Sequence, residues 1–334
     1  MFIILLFLRY NCPMRQSLFF KLFPPPKYMS MRFSGLEISD DAIRCIQYVP
    51  GAHGLVLGKY DSVDLPPDTV VGGDIKNEAV LLEKLGAFCK KNALTYVSVA
   101  VPEEKAYLFE TDVTGKHIKE IAQNIEFKME ENVPLAAKDA VFYFDLMPLE
   151  STGGVLRASV SVVPSSYIEK QISMLESVGL EPVAFEVVPK SIARAAMKKE
   201  EKKASFIVHV MRSKVGIYIS CGGVVCFTST FSVVHTSDEK AQEDLSNTIV
   251  KGLNQAVSYW STKASVQTID EVVITGERGI QFKEIIAQSI ESLRCPINVG
   301  NVWQNVFDVD TYLPPISKEE SLPYVVAAGL ALNE

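Results

Sequence analysis

The chain has 334 residues, 48% of them apolar, and a formal net charge of −7. That length exceeds one ordinary core, so two domains are expected, and the apolar share excludes a disordered chain. The negative balance argues against broad nucleic-acid binding, which needs a basic face.

Residues 1–31 read as an N-terminal extension, either disordered or lying upstream of a true start at Met29 or Met31. The first 36 residues hold five bases (Arg9, Arg15, Lys21, Lys27, Arg32) and no acid. The apolar run Met1 to Leu8 falls far short of the roughly 20 residues of a membrane-spanning helix. Its charge follows the apolar stretch, the reverse of a secretory signal. A basic segment lying on a membrane surface is the other reading.

Foldable pattern begins at Arg32. Residues 32–60 alternate apolar and polar, the signature of a strand meander, with Pro50, Gly51 and Gly54 marking a turn. A helix is predicted over 78–91, with Val80, Leu81, Leu85 and Phe88 on one face, and then a strand from Tyr96 to Val101. The helix predicted over 117–132 carries Ile118, Ile121, Ile125 and Met129 as its stripe. Two strands follow, Val141–Leu149 and Leu156–Pro164, joined by the Ser151-Thr152-Gly153-Gly154 turn. A helix over 165–178 is capped by Gly179, and the strand Pro182–Val187 leads into a helix over 189–198. Residues 107–187 therefore read β-α-β-β-α-β, a small α+β unit.

The charged run Lys198–Lys203 reads as the hinge into a second half. There two strands flank Gly222-Gly223, and a long helix over 239–262 presents Leu245, Ile249, Leu253, Ala256 and Trp260. A strand Glu271–Thr275 enters a Gly276–Gly279 loop. A helix over 280–293, a loop-rich stretch and a last helix from Leu322 to Leu332 complete the chain. Strand-helix units given twice after a meander point to two related α/β halves, 32–204 and 205–334, with the α+β unit 107–187 inserted in the first.

None of the six cysteines forms a Cys-x-x-Cys pair, so no structural zinc is expected and the thiols read as buried and reduced. Cys221 and Cys226 flank the Gly-Gly turn and could face each other across it. No phosphate-binding Gly-x-x-x-x-Gly-Lys loop and no Gly-x-Ser-x-Gly elbow is present, and Glu130-Glu131 reads as a solvated helix face.

Four stretches carry a resemblance. They are Gly35 to Arg44; Ile125 to Pro134 with Asp139-Ala140-Val141 and Phe144-Asp145; Ile269 to Gly279; and Tyr324 to Leu332. Together they resemble the PilM family of type IV pilus assembly proteins, relatives of FtsA and actin. The resemblance implies an actin-like (ribonuclease H-like) two-lobed α/β fold with an inserted small α+β subdomain.

It also implies where nucleotide loops would lie, and these positions are altered. In the first loop the family Asp corresponds to Glu37, the Gly to Ser39 and the hydroxyl residues to Asp40 and Asp41, while Arg44 keeps the charge of the family Lys. In the second loop the family Asp-x-Gly corresponds to His209-Val210-Met211. Gly276 and Gly279 survive in the third, interrupted by Glu277-Arg278. Each carboxylate ~5 Å from a phosphate costs roughly 3 kcal/mol at an effective dielectric of 20, and a micromolar complex has only about 8 kcal/mol in total. A lone His in an apolar strand reads as core.

The expectation is a pseudo-ATPase with no catalytic residues, no metal and no resident cofactor, although magnesium bridging would leave ATP open. The resemblance implies a cytoplasmic scaffold, peripheral at the inner membrane. It would bind the short tail of a PilN-like inner-membrane protein and other pilus platform proteins, with a homo-oligomer open. Ile121, Ile125 and Met129 are the candidate groove-lining residues. An active ATPase regulating assembly, a filament-forming protein and a type II secretion counterpart are the rival readings.

Overall fold

The computed structural model describes residues 32–332 apart from 53, 116, 148–154, 199–203, 234–237, 264–267 and 309. The N-terminal extension, the 151–154 turn and most of the charged run lie outside the described residues.

In the first lobe, β1 (Ser34–Ile38), β2 (Ala42–Gly51) and β3 (Gly54–Asp64) form the expected meander. A two-stranded ribbon, β4 (Val70–Val71) and β5 (Asp74–Ile75), precedes α1 (Glu78–Asn92) and β6 (Tyr96–Val101). The Asn77 side chain accepts from the Val80 N–H and so caps α1, which buries Leu81, Leu85 and Phe88. Strand β6 pairs parallel with β1, and β10 (Glu181–Val187) pairs parallel with β6. The sheet order is β10-β6-β1-β2-β3.

The second lobe repeats this wiring. The strands β11 (Ala204–Val210), β12 (Lys214–Cys221) and β13 (Val224–Ser232) are an antiparallel meander, and β14 (Ile269–Thr275) and β15 (Ile297–Val299) add in parallel. The order is β13-β12-β11-β14-β15. All seven residues of β11 are buried, as a central strand covered on both faces requires. Helix α5 (Asp238–Lys263) lays Leu245, Ile249, Leu253, Ala256 and Trp260 into this core.

Between β6 and β10 sits an inserted three-stranded sheet. It is built from β7 (Tyr107–Val113), β8 (Ala140–Leu146) and β9 (Leu156–Pro164) in the order β7-β9-β8, with α2 (Ile118–Asn132) across one face. The next helix, α3 (Ser165–Ser177), packs with the first lobe and leads into β10 of its main sheet. The unit expected over 107–187 thus closes at Pro164. Its last helix and strand return to the lobe because Phe185 and its neighbours complete the main core.

Three further differences emerge. The helix expected over 280–293 is broken: a 3-10 turn at Gly279–Phe282, α6 (Lys283–Ser289) and a second 3-10 turn at Glu291–Leu293. Cys221 and Cys226 are joined as a disulfide across the β12–β13 hairpin, which replaces the expected pair of reduced thiols. The last helix, α7 (Val325–Ala331), crosses back to the first lobe, where it packs on α4 (Val188–Ala196) in a core that also holds Ile207 and Val273 from the second lobe. A Cβ at Gly329 would stand 1.9 Å from the Ser191 carbonyl oxygen, so only glycine permits this crossing.

Candidate functional site

The cleft between the lobes is lined by Glu37 and Ser39 to Asp41 at the β1–β2 turn, Glu103 after β6, and His209, Met211 and Lys214 around the β11–β12 turn. The structure therefore brings the first two loops together. Gly276 and Gly279 lie at the end of β14 beside them, where the Arg278 N–H donates to the Val210 carbonyl at 3.0 Å.

Ser39 is committed to its own turn. Its hydroxyl donates to the Ala42 carbonyl (3.0 Å) and accepts from the Ala42 N–H (3.1 Å). The Asp40 carboxylate accepts from the Gly72 and Gly73 N–H groups at 2.8 and 3.1 Å. It therefore fills an anion-binding backbone concavity with the chain's own charge.

Arg44 is 2% exposed. Its Nη2 lies 3.2 Å from Glu277 Oε2, and its Nη1 lies 3.4 Å from Ser39 Oγ and 3.8 Å from Glu37 Oε2. The cation of the first loop is thus paired with the acid that interrupts the third. Glu277 also accepts from Arg212 Nε at 3.2 Å, and Arg212 Nη2 reaches Asp64 at the end of β3 at 2.5 Å.

Deeper in, Glu103 accepts from the Tyr218 hydroxyl (2.6 Å) and the Thr230 hydroxyl (3.0 Å), and Lys214 Nζ lies 2.6 Å from Glu104. Burial disfavours the charge on Glu103, but Lys214 and Tyr218 outweigh it and hold the carboxyl below its usual range. Burial likewise opposes the Lys214 ammonium, while Glu103 and Glu104 raise its pKa above the lysine range.

Glu37 is different. It is buried, its Oε2 has no hydrogen-bond partner, and burial pushes its pKa from 4.5 to about 7 despite the opposing pull of Arg44. His209 is a buried residue of β11 with Nδ1 3.0 Å from Thr275 Oγ1, and burial lowers its pKa to about 4. It is neutral at neutral pH.

Met211 is buried, and its N–H donates to the Lys214 carbonyl. Gly276 has φ +87, and a Cβ there would meet the Val210 carbonyl oxygen at 2.4 Å. Packing alone therefore demands that glycine. Among the described residues no group of three or more His, Cys, Asp or Glu is arranged to hold a metal ion.

Ile121, Ile125 and Met129 do not line a groove. They are 4%, 0% and 0% exposed and pack with Val113, Ala158, Val160 and Val162 in the core of the inserted unit. Strand alternation explains the placement. Even-numbered residues of β9 face α2, while Ser159 and Ser161 face the other way. A groove lies on that reverse side, lined by Tyr107, Leu108, Asp145, Val187, Pro189 and Lys190. Its wall from the second lobe is tied down by the Ser159 hydroxyl, which donates to the Val225 carbonyl at 2.6 Å. Lys190 Nζ is 2.9 Å from Asp145 and 3.3 Å from the centre of the Tyr143 ring.

Arg212, Lys214, Glu103 and Asp64 were not singled out from the sequence. The first two stand in the second-loop turn, and Glu103-Glu104 follows directly on β6, so position next to a loop was the available signal.

Two five-stranded sheets of identical wiring, a cleft between them and a small sheet inserted into the first lobe define an actin-like fold. Among solved structures the chain is similar to a chain of a PilM–PilN type IV pilus biogenesis complex. The two are 17% identical with a TM-score of 0.73, over 90% of this chain and 98% of that one. Weaker likenesses are the ethanolamine utilization protein EutJ from Carboxydothermus hydrogenoformans (12% identity, TM-score 0.47, 91% and 90% covered) and a Bacteroides thetaiotaomicron protein with an actin-like ATPase fold (11%, 0.44, 84% and 93%). No protein-family model matches the chain, and no curated protein matches it in sequence. At 17% identity the first likeness establishes the fold and leaves the function to be argued.

Proposed function

We propose that this protein is a cytoplasmic scaffold of the inner-membrane platform of a type IV pilus or related secretion system. It binds the short tail of a PilN-like membrane protein and works without ATP hydrolysis. The fold shared with the chain from the PilM–PilN complex supports the platform role. One observation carries the loss of ATPase activity: Arg44, in the place of the family's phosphate-binding Lys, is spent on Glu277.

Nucleotide would have to break that pair and then sit beside Asp40, Asp41 and Glu103. At an effective dielectric of 20, each uncompensated carboxylate ~5 Å from phosphate costs about 3 kcal/mol. Glu37, buried and 3.8 Å from Arg44, would have to give up a proton and face that guanidinium to serve magnesium, a hard cation that prefers carboxylate. The residues present do not fit a magnesium–nucleotide complex, and no step of the proposed function passes through one.

The groove behind the inserted sheet is the docking site. Tyr107, Leu108 and Val187 offer apolar contact, and Lys190 with Asp145 offers a polar anchor for an extended peptide. Among the described residues no helix is long and apolar enough to cross a membrane. Attachment to the inner membrane through a partner is the accompanying proposal.

The test is binding of a synthetic peptide matching the cytoplasmic tail of the organism's PilN-like protein to the full-length chain. Saturable binding that weakens by about tenfold or more in Leu108→Asp is expected, about the loss of one well-packed apolar contact and the burial of a charge. No binding above an unrelated peptide sinks the assignment.

A further inference from the structure

We infer that five polar bonds across the cleft latch the two lobes shut without any ligand, doing from within the chain what a bound nucleotide would do between such lobes. This goes beyond the scaffold reading and does not depend on any partner.

Every strut joins one lobe to the other. At the mouth, Arg44 of β2 meets Glu277 of the loop after β14 (3.2 Å), and Arg212 of the β11–β12 turn meets Asp64 at the end of β3 (2.5 Å). At the floor, Lys214 meets Glu104 (2.6 Å), and Tyr218 and Thr230 both donate to Glu103 (2.6 and 3.0 Å). Arg212 Nε also bonds Glu277 at 3.2 Å, so the two mouth struts form one chain of charges, Arg44–Glu277–Arg212–Asp64.

Placement decides how much such bonds weigh. Isolated surface ion pairs contribute little. Here the Arg44 side chain is 2% exposed, Lys214 12%, and Arg212 and Glu277 about one third, while Asp64, at 71%, makes the Arg212–Asp64 strut the lightest and ties its weight to the Glu277 link. Buried charges that lose one partner leave the other uncompensated, so opening the cleft exposes or strands several at once. Pairs linked in one network also act cooperatively. The two lobes share an apolar core at the hinge side, where Ile46 and Val188 join Ile207 and Val273. The latch therefore needs only to hold the cleft side.

The experiment uses the full-length chain with no nucleotide added. Amide hydrogen exchange is followed at 37–41, 101–104 and 211–214 in the wild type, in Arg212→Gln and in the Arg212→Gln/Glu277→Gln double variant, alongside small-angle scattering. The wild type is expected to scatter as the closed form and to exchange slowly at these segments. The double variant is expected to exchange about tenfold faster there while the inner strands of each sheet stay protected, the pattern of a local opening. If the double variant unfolds globally, Arg212→Gln alone decides, with several-fold faster exchange of 211–214 expected. Wild-type exchange rates in a folded variant, or open-form scattering from the wild type, overturn the inference.

Discussion

Replacing Glu37 by Gln isolates the electrostatics of the cleft. Glu37 is 4% exposed, and the nearest cation, Arg44 Nη1, lies 3.8 Å away. Its pKa of about 7 in the fold compares with 4.5 for the ordinary group. Between those values the folded chain holds a proton that the unfolded chain has released, so stability falls as pH rises through this window. The shift corresponds to about 3 kcal/mol, fully present below about pH 4.5 and gone above about pH 7.

His209 slopes the other way. Its pKa falls from 6.5 to about 4, so its share of stability is present above about pH 6.5 and lost as pH drops toward 4. The two slopes oppose each other between about pH 4.5 and 6.5, and a wild-type curve alone would hide both. The difference between Glu37→Gln and wild type is what reports Glu37. Urea unfolding is expected to show the variant gaining about 2 to 3 kcal/mol on the wild type between pH 5 and pH 8. A difference that stays constant with pH would refute the reasoning.

Other outcomes follow from the same geometry. Gly329→Ala forces a Cβ within 1.9 Å of the Ser191 carbonyl oxygen and should cost about 3 kcal/mol or more, read as a lowered melting temperature. The His209 imidazole should show no titration by NMR above about pH 5, and a midpoint near 6.5 would place it in solvent. Alkylation without reduction should leave Cys221 and Cys226 unmodified, and a doubly alkylated 215–240 peptide would contradict the disulfide.

Much of the fold was legible in local pattern. The period-2 alternation after Arg32 gave the first meander, and the stripe from Leu245 to Trp260 gave α5. What local pattern cannot carry is allegiance. The segment from α3 to β10 has the same helix-then-strand rhythm whether it joins the inserted sheet or the main one, and parallel pairing with β6 decided it. β15 is three residues long and leaves no periodic trace.

In the cleft, Arg44 and Glu277 each read as a lone departure from a motif. They lie 233 positions apart and only the fold shows that they pair. The stripe Ile121, Ile125 and Met129 was visible as apolar, but an apolar stripe looks the same whether it faces its own sheet or a partner.

In the proposed reading the chain's own charges occupy the place of a nucleotide. Titration calorimetry of the full-length protein with magnesium–ATP, at high protein concentration and neutral pH, tests it most directly. No saturable heat up to millimolar ATP is the expected result. A micromolar dissociation constant, worth about 8 kcal/mol, would contradict it, because a cleft lined by Asp40, Asp41 and Glu103 leaves no source for that energy.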